Sequence, residues 1–525
     1  MAAQMCDLRL RYTACQALEI VTSFVLGFLR NPGITRCPQL RQRTRSEQRS
    51  STLNQAESNS SAAGEVAGAS QDLADSPPVS SNVGFTEGSV GRHLARLGSF
   101  MAMGTLTMNV AQIAEAVYLG ILGTEALAAM GFAFPLTITL FAFAGGIGSG
   151  SSSVIARAMG SGDSKAASRL VSHSQFLTVI LGVVLGALGI AYATEIITSL
   201  GAKGRVLELT IEYLQVYMLG FPFFMLSIVG STLLRATGSA ASPGIIMAVG
   251  SVLQIILGPI LIFGWMGIPE MGIAGAAWAY VVSRGFSVVL YAGLLVKTRL
   301  MTWEFKGIIK SWTSIMHVGG PAIASGLVMP ASMLIITRLL ANHGHEVVAG
   351  YNVASRVETM AHMILWSCSS SVEPLVGQNW GARLFDRVRR ALFLAHTFCL
   401  GWGAITFVIM ILFGSYLVSL IDPNPIVVDT ATAFFLYIPL SIGFMGMMQV
   451  ANASFNARGL PMPALVISLL RSLIVYVPLA LLGDHLWGYT GIFAATALTN
   501  VAIGIVAWKW NQVSVDTQAA RLSPA

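Results

Sequence analysis

From roughly residue 98 to residue 510 the chain is one apolar segment after another, about twelve in all, broken only by short polar turns. Each segment is long enough to cross a bilayer, which takes about 20 apolar residues. With no water in the bilayer core, such segments must satisfy their backbone groups internally, so they fold as helices. The first six also resemble the last six at a nearly constant offset. A polytopic chain built from two related six-helix halves usually moves something across a membrane.

Composition agrees. The 525 residues are 54% hydrophobic and 10% charged, against about 25% charged in soluble domains. So little charge could not cover a surface in water, but lipid requires no such cover. The 53 glycines suit close helix packing in a membrane. The net charge of +7 comes from Lys and Arg concentrated in particular loops, which points to cytoplasmic loops rather than a nucleic-acid-binding domain. Cys6, Cys15, Cys37, Cys368 and Cys399 show neither metal-site nor disulfide spacing.

The expected spans are 98–121, 126–156, 171–194, 209–234, 244–265 and 272–296 in the first half. Those of the second half are 314–340, 347–377, 391–414, 430–455, 463–483 and 488–510. They define an all-α polytopic membrane protein with an N-lobe over 98–296, a cytoplasmic linker over 297–313, a C-lobe over 314–510 and a tail over 511–525. Residues 1–90 stand apart. Arg41 to Ser81 is rich in Ser, Gln, Ala, Glu and Asp and lacks aromatics, a composition expected to stay disordered. Ala17 to Leu29 is a short apolar run behind Arg9 and Arg11, too short for a span but compatible with a targeting segment. An over-extended start, with the working protein beginning near Met101, is the other reading.

Loop charge sets an expected orientation. With the N-terminus cytoplasmic, that side carries sixteen Lys and Arg: Arg92, Arg96, Arg157, Lys165, Arg169, Arg235, Lys297, Arg299, Lys306, Lys310, Arg383, Arg387, Arg389, Arg390, Arg458 and Lys509. The other side carries three: Lys203, Arg205 and Arg338. Both termini are therefore expected in the cytoplasm.

The repeat has three landmarks. Gly160 and Gly381, each near an Arg-bearing turn, lie 221 residues apart. Gly238, in Arg235-Ala236-Thr237-Gly238, and Gly459, in Ala457-Arg458-Gly459, are also separated by 221. Gly272 and Gly491 open the last span of each half, 219 apart. Six spans per half means the halves run in the same direction, related by an axis along the membrane normal. Two similar lobes then flank a cavity that rocking can open to either side.

These landmarks carry a resemblance to the multidrug and toxic compound extrusion (MATE) transporters, in particular the DinF-like branch. Its most specific piece is Pro374-Leu375-Val376-Gly377-Gln378-Asn379-Trp380-Gly381-Ala382, similar to the family's Gly-Gln-Asn-x-Gly-Ala signature after span 8. Tyr118 to Gly123, Glu125 to Met130, Leu234 to Gly238 and Gly272 to Ala277 are also similar, in the same order. The resemblance covers about residues 98–510. It implies cation-coupled export of organic, often cationic, compounds by a two-lobed fold, with a proton or Na⁺ as the coupling ion and no other cofactor.

Ionisable residues inside spans are costly and therefore functional candidates. Glu115 is the sharpest, well inside span 1 with no basic residue in that span to neutralise it. Desolvation disfavours a charged carboxylate, so such a group can take up and release a proton near neutral pH. The family's first-span coupling residue is usually Asp, and Glu115 matches it; a hydrogen-bonded structural Glu is the competing reading. Span 5 departs from the branch's Asn-x-x-x-Asp-Pro, reading Gln254-Ile255-Ile256-Leu257-Gly258-Pro259. The second carboxylate is lost, and a Na⁺ site needs several converging oxygens, so protons are favoured. Gln254 is expected to hydrogen-bond Glu115, with Asn109, Gln112 and Tyr118 near enough in sequence to help.

Glu358, Arg284 and Arg356 are further candidates for lining the cavity. Glu373 precedes Pro374 and Glu212 begins span 4, so both read as interfacial. Arg284 and Arg471 pair with carboxylates, snorkel, or meet an anionic substrate, while His362 reads as a satisfied interior histidine. No Gly-x-x-x-x-Gly-Lys-Ser/Thr is present, so ATP-driven transport is not expected, and no catalytic constellation appears. The leading expectation is a monomeric plasma-membrane antiporter for small organic substrates. A lipid or lipid-linked saccharide flippase, using Arg284, Arg356 and Arg471 for a phosphate head group, is the alternative.

Overall fold

The computed structural model describes residues 84–522 apart from 421 and 423. Cys6, Cys15, Cys37 and the Ala17–Leu29 run lie outside them. Twelve helical spans follow in order: α1 Val90–Leu122, α2 Thr124–Gly160, α3 Ser164–Ala191, α4 as the pair Gly204–Leu219 and Phe221–Ala236, α5 Ser242–Ile262 and α6 Gly272–Lys297. Then come α7 Ile308–Ala341, α8 His345–Gly381, α9 Phe385–Ser419, α10 Pro425–Ala457, α11 Pro461–Trp487 and α12 Tyr489–Leu522. No strand occurs among the described residues.

Ten of these helices are long and apolar enough to cross a membrane, and the bent α4 pair makes an eleventh. Helix α8 is the twelfth by position; Glu346, Arg356, Glu358 and Glu373 dilute its hydropathy. The α4 bend of 51° falls at Gly220, where a side chain would strike Val281 and where Pro222 has no N–H to donate. In α11 the five residues Leu470–Ile474 widen into a π turn, with Val475 N–H donating to the Leu470 carbonyl at 2.9 Å. Pro478 follows four residues after Ile474, so that carbonyl has no α-helical partner to hold it.

The helices outrun the apolar segments at their basic ends. Helix α1 starts eight residues before 98 and α12 runs on through 511–522, the segment read as a tail. Hydropathy marks only the lipid-facing stretch, while the backbone continues its helix into water. Residues 84–90, expected from composition to belong with the N-terminal segment, are packed. Phe85 is buried, its N–H donates to Gln378 Oε1 at 2.8 Å, and Asn379 Nδ2 donates to its carbonyl at 3.1 Å.

Two apolar cores correspond to the two lobes, one drawn from residues 119–315 and the other from 336–519. They meet along α2 and α7, where Gly146 and Gly150 lie against Ile315, Gly319 and Ile323. Small residues there let the two backbones approach as lipid-embedded helices require. The lobes meet again along α2 and α8. The Phe141 and Trp366 rings are 6.1 Å apart, Ser149 Oγ donates to Glu373 Oε1 at 2.8 Å, and Gly377 abuts Ala156. These contacts lie toward the end of the bundle that carries the basic loops. On the opposite halves, Phe134 of α2 and Asn352, Arg356 and Thr359 of α8 are exposed, so those faces are not packed against each other as the seam is.

Candidate functional site

Glu115 sits on α1 and points into the N-lobe, buried at 7% exposure. Tyr213 Oη on α4 donates to its Oε1 at 3.0 Å, and Gln254 Nε2 on α5 donates to its Oε2 at 3.1 Å. Arg284 Nη2 on α6 reaches Gln254 Oε1 at 3.5 Å, and its guanidinium lies 4.9 Å from the Tyr280 ring centre. Four helices of one lobe thus converge on a single carboxylate. A cavity of about 10 Å³, room for about one water, adjoins it and is lined by Glu115, Tyr118, Gln254, Gly258 and small apolar side chains.

Three tyrosines extend this arrangement. Tyr213 stacks on Tyr217 at 5.9 Å and Tyr217 on Tyr280 at 4.9 Å, and Tyr217 Oη donates to Tyr280 Oη at 3.3 Å. Tyrosine is common in membrane helices, so composition does not mark them. The available signal was the four-residue spacing of Tyr213 and Tyr217, which puts both on one face of α4.

The structure therefore joins Glu115, Gln254 and Arg284. Tyr118 is adjacent, but its hydroxyl donates to the Ile255 carbonyl at 3.3 Å. Asn109 and Gln112 do not reach the carboxylate. Asn109 Nδ2 donates to the Thr105 carbonyl at 2.9 Å and Gln112 is exposed. Residues three and six positions before Glu115 lie some 60° and 120° around the helix from it, on the side that continues upward from Gly98, which approaches Ser371 of the other lobe.

Glu358 faces a second buried group in the C-lobe. Its Oε1 is 3.8 Å from His362 Nδ1, and it lies within the field of Arg471, whose Nε donates to Asn500 Oδ1 at 3.1 Å. Arg471 stands in the π turn of α11. Arg356 belongs to neither group and is exposed.

The signature Gly377, Gln378, Asn379 and Gly381 forms the last turns of α8 rather than a loop, and it clasps the opposite lobe. A side chain at Gly160 would strike the Gln378 backbone, and one at Gly381 would strike that of Arg157. Gln378 Nε2 donates to the Ala236 carbonyl at 2.8 Å, and Ser153 Oγ donates to the Asn456 carbonyl at 2.5 Å. Arg157 and Gln378 are equivalent in the 221-residue repeat, so the clasp is built twice. Among the described residues no group of three or more His, Cys, Asp or Glu could hold a metal ion.

Comparison with known proteins agrees with this architecture. The MatE family model matches residues 101–260 and again 321–482, the second match starting 220 residues after the first. An FAD transporter of Shewanella oneidensis is 31% identical over 429 residues, covering 81% of this chain and 95% of that protein. The probable multidrug resistance protein YoeA of Bacillus subtilis is 26% identical over 410 residues, covering 75% and 88%. Among solved structures, the Vibrio cholerae MATE transporter VcmN in the bent form superposes with a TM-score of 0.79 at 27% identity, covering 83% of this chain and 99% of that one.

Proposed function

This chain belongs to the MATE family of multi-pass membrane transporters, which are not enzymes, and on that footing we propose a proton-coupled exporter of organic compounds working by alternating access. The observation that carries the reading is the burial of Glu115 among Tyr213, Gln254 and Arg284 beside a water-sized cavity. A carboxylate whose two direct donors, Tyr213 and Gln254, are neutral, with Arg284 reaching it only through Gln254 and with room for little more than one water, suits a proton. A Na⁺ ion needs several converging oxygens, and the second carboxylate of the branch's site is absent at Gly258. Protonating Glu115 removes a charge shared by α1, α4, α5 and α6, which biases the packing of the whole N-lobe.

The excess of positive charge on the loops of the clasped end supports placing that end and both termini in the cytoplasm, with the plasma membrane as the membrane crossed. The conformation is then closed to the cytoplasm, its cleft opening outward. A single chain suffices for this cycle, and no nucleotide is required.

The test is transport in proteoliposomes under an imposed pH or Na⁺ gradient, for wild type and Glu115→Gln, with a panel of cationic and anionic dyes. Movement driven by protons and lost in the variant supports the proposal. Sodium-driven movement overturns the choice of ion, and proton-driven movement that survives in the variant removes Glu115 from coupling. If no dye moves through folded protein, flipping of a lipid-linked pyrophosphate becomes the reading to measure.

A further inference from the structure

The face of α8 that seals the lobes can be followed upward into the cleft. Trp366, Glu373 and Gly377 touch α2. Steps of three and four residues, which keep to one helix face, continue that face through Met363, Thr359, Arg356 and Asn352. Asn352, Arg356 and Thr359 are exposed. Arg356 lies ten residues before Trp366, so its level is about 15 Å above that ring. Across the cleft, the corresponding face of α2 above Phe141 presents Ile138 and Phe134, the latter 55% exposed.

Each buried carboxylate of the spans lies near an arginine, whereas Arg338, at the outer end of α7, and Arg356, inside α8, have no carboxylate partner among the described residues. Arg284 acts on Glu115 through Gln254. Arg471 lies in the field of Glu358, and Arg235 in that of Glu373. In the outer turns of α4, Arg205 Nη1 is 2.9 Å from Glu208 Oε2 and also feels Glu212. Arg356 makes no ion pair among the described residues. An exposed guanidinium with no carboxylate beside it keeps its donor fork free for an anionic ligand.

We propose that the cleft of this transporter takes anionic amphiphiles, the anionic group paired with Arg356 and the apolar body resting on Phe134, Phe141 and Trp366. The inference rests on the reading of the chain as an exporter and names the substrate class of its cleft. A cationic drug would find every interior carboxylate already matched by an arginine and one positive charge facing it. A carboxylate, sulfonate or phosphate finds a planar five-donor fork.

The experiment compares proteoliposome transport of the anions carboxyfluorescein and pyranine with that of the cation ethidium, for wild type, Arg356→Lys, Arg356→Gln and Arg356→Glu. Wild type is expected to move at least one anion faster than ethidium. Arg356→Gln should lose about tenfold or more of anion transport at low substrate concentration, the scale of one charge-assisted contact. Arg356→Lys should retain part of it, and Arg356→Glu should turn preference toward ethidium. Thermal melting in detergent confirms that each variant is folded, and the retained activity of Arg356→Lys guards against a purely structural loss. Ethidium moved in preference to both anions by wild type overturns the proposal, as does full anion transport by folded Arg356→Gln. If wild type moves neither anions nor ethidium under any gradient, the exporter reading itself fails.

Discussion

Gly258 is a departure whose cause the structure shows. A side chain there would begin 2.8 Å from the Tyr118 ring, so the ring occupies the space a carboxylate at this position would fill. Gly258→Asp alone should therefore overpack the site and cost about 1–3 kcal/mol, read as a lower melting temperature in detergent. Adding Tyr118→Ala should recover most of that loss and, by restoring two facing carboxylates, bring in Na⁺-stimulated transport. If Gly258→Asp is as stable as wild type, the steric coupling is wrong. Glu115 and Gln254 were legible because charge and amide are rare in apolar runs. The tyrosines around them were not, because tyrosine is ordinary in a membrane helix and only the fold shows three rings stacked beside one carboxylate.

At the scale of elements, the ends of α2 and α8 behave as one clasp made twice. Gly160 meets the Gln378 backbone and Gly381 meets that of Arg157, so neither position admits a side chain while the lobes are closed here. Gly160→Leu and Gly381→Leu should each favour the open state by about 1–3 kcal/mol. Together they should add little beyond the larger single effect, because a second leucine meets nothing once the helices have parted. The check is a thiol-labelling rate at the clasped end for both single variants and the double; strictly additive effects would mean two independent contacts. The signature was readable as a motif and the repeat as an offset. That they press against each other was not, since sequence periodicity places residues on a face but does not say which lobe the face meets.

For the molecule as a whole, two lobes joined at one end and apart at the other form one member of a pair of states, and transport requires the second. Ile323 on α7 packs against Gly146 of α2 inside the closed seam, whereas Phe134 lies on the open side. In a chain whose five cysteines are replaced, Ile323→Cys should react slowly with a membrane-impermeant maleimide added at the basic end, while Phe134→Cys should react readily from the other side. Conditions that shift the population toward the opposite state should raise the first rate and lower the second together, each by about tenfold when the ratio of the two states reverses from about 10:1 to about 1:10. Rates that change independently would mean local loosening of one seam, and the lobes would not be rocking as units. A coupled reversal that also disappears in Glu115→Gln would tie the motion to the one carboxylate on which four N-lobe helices converge.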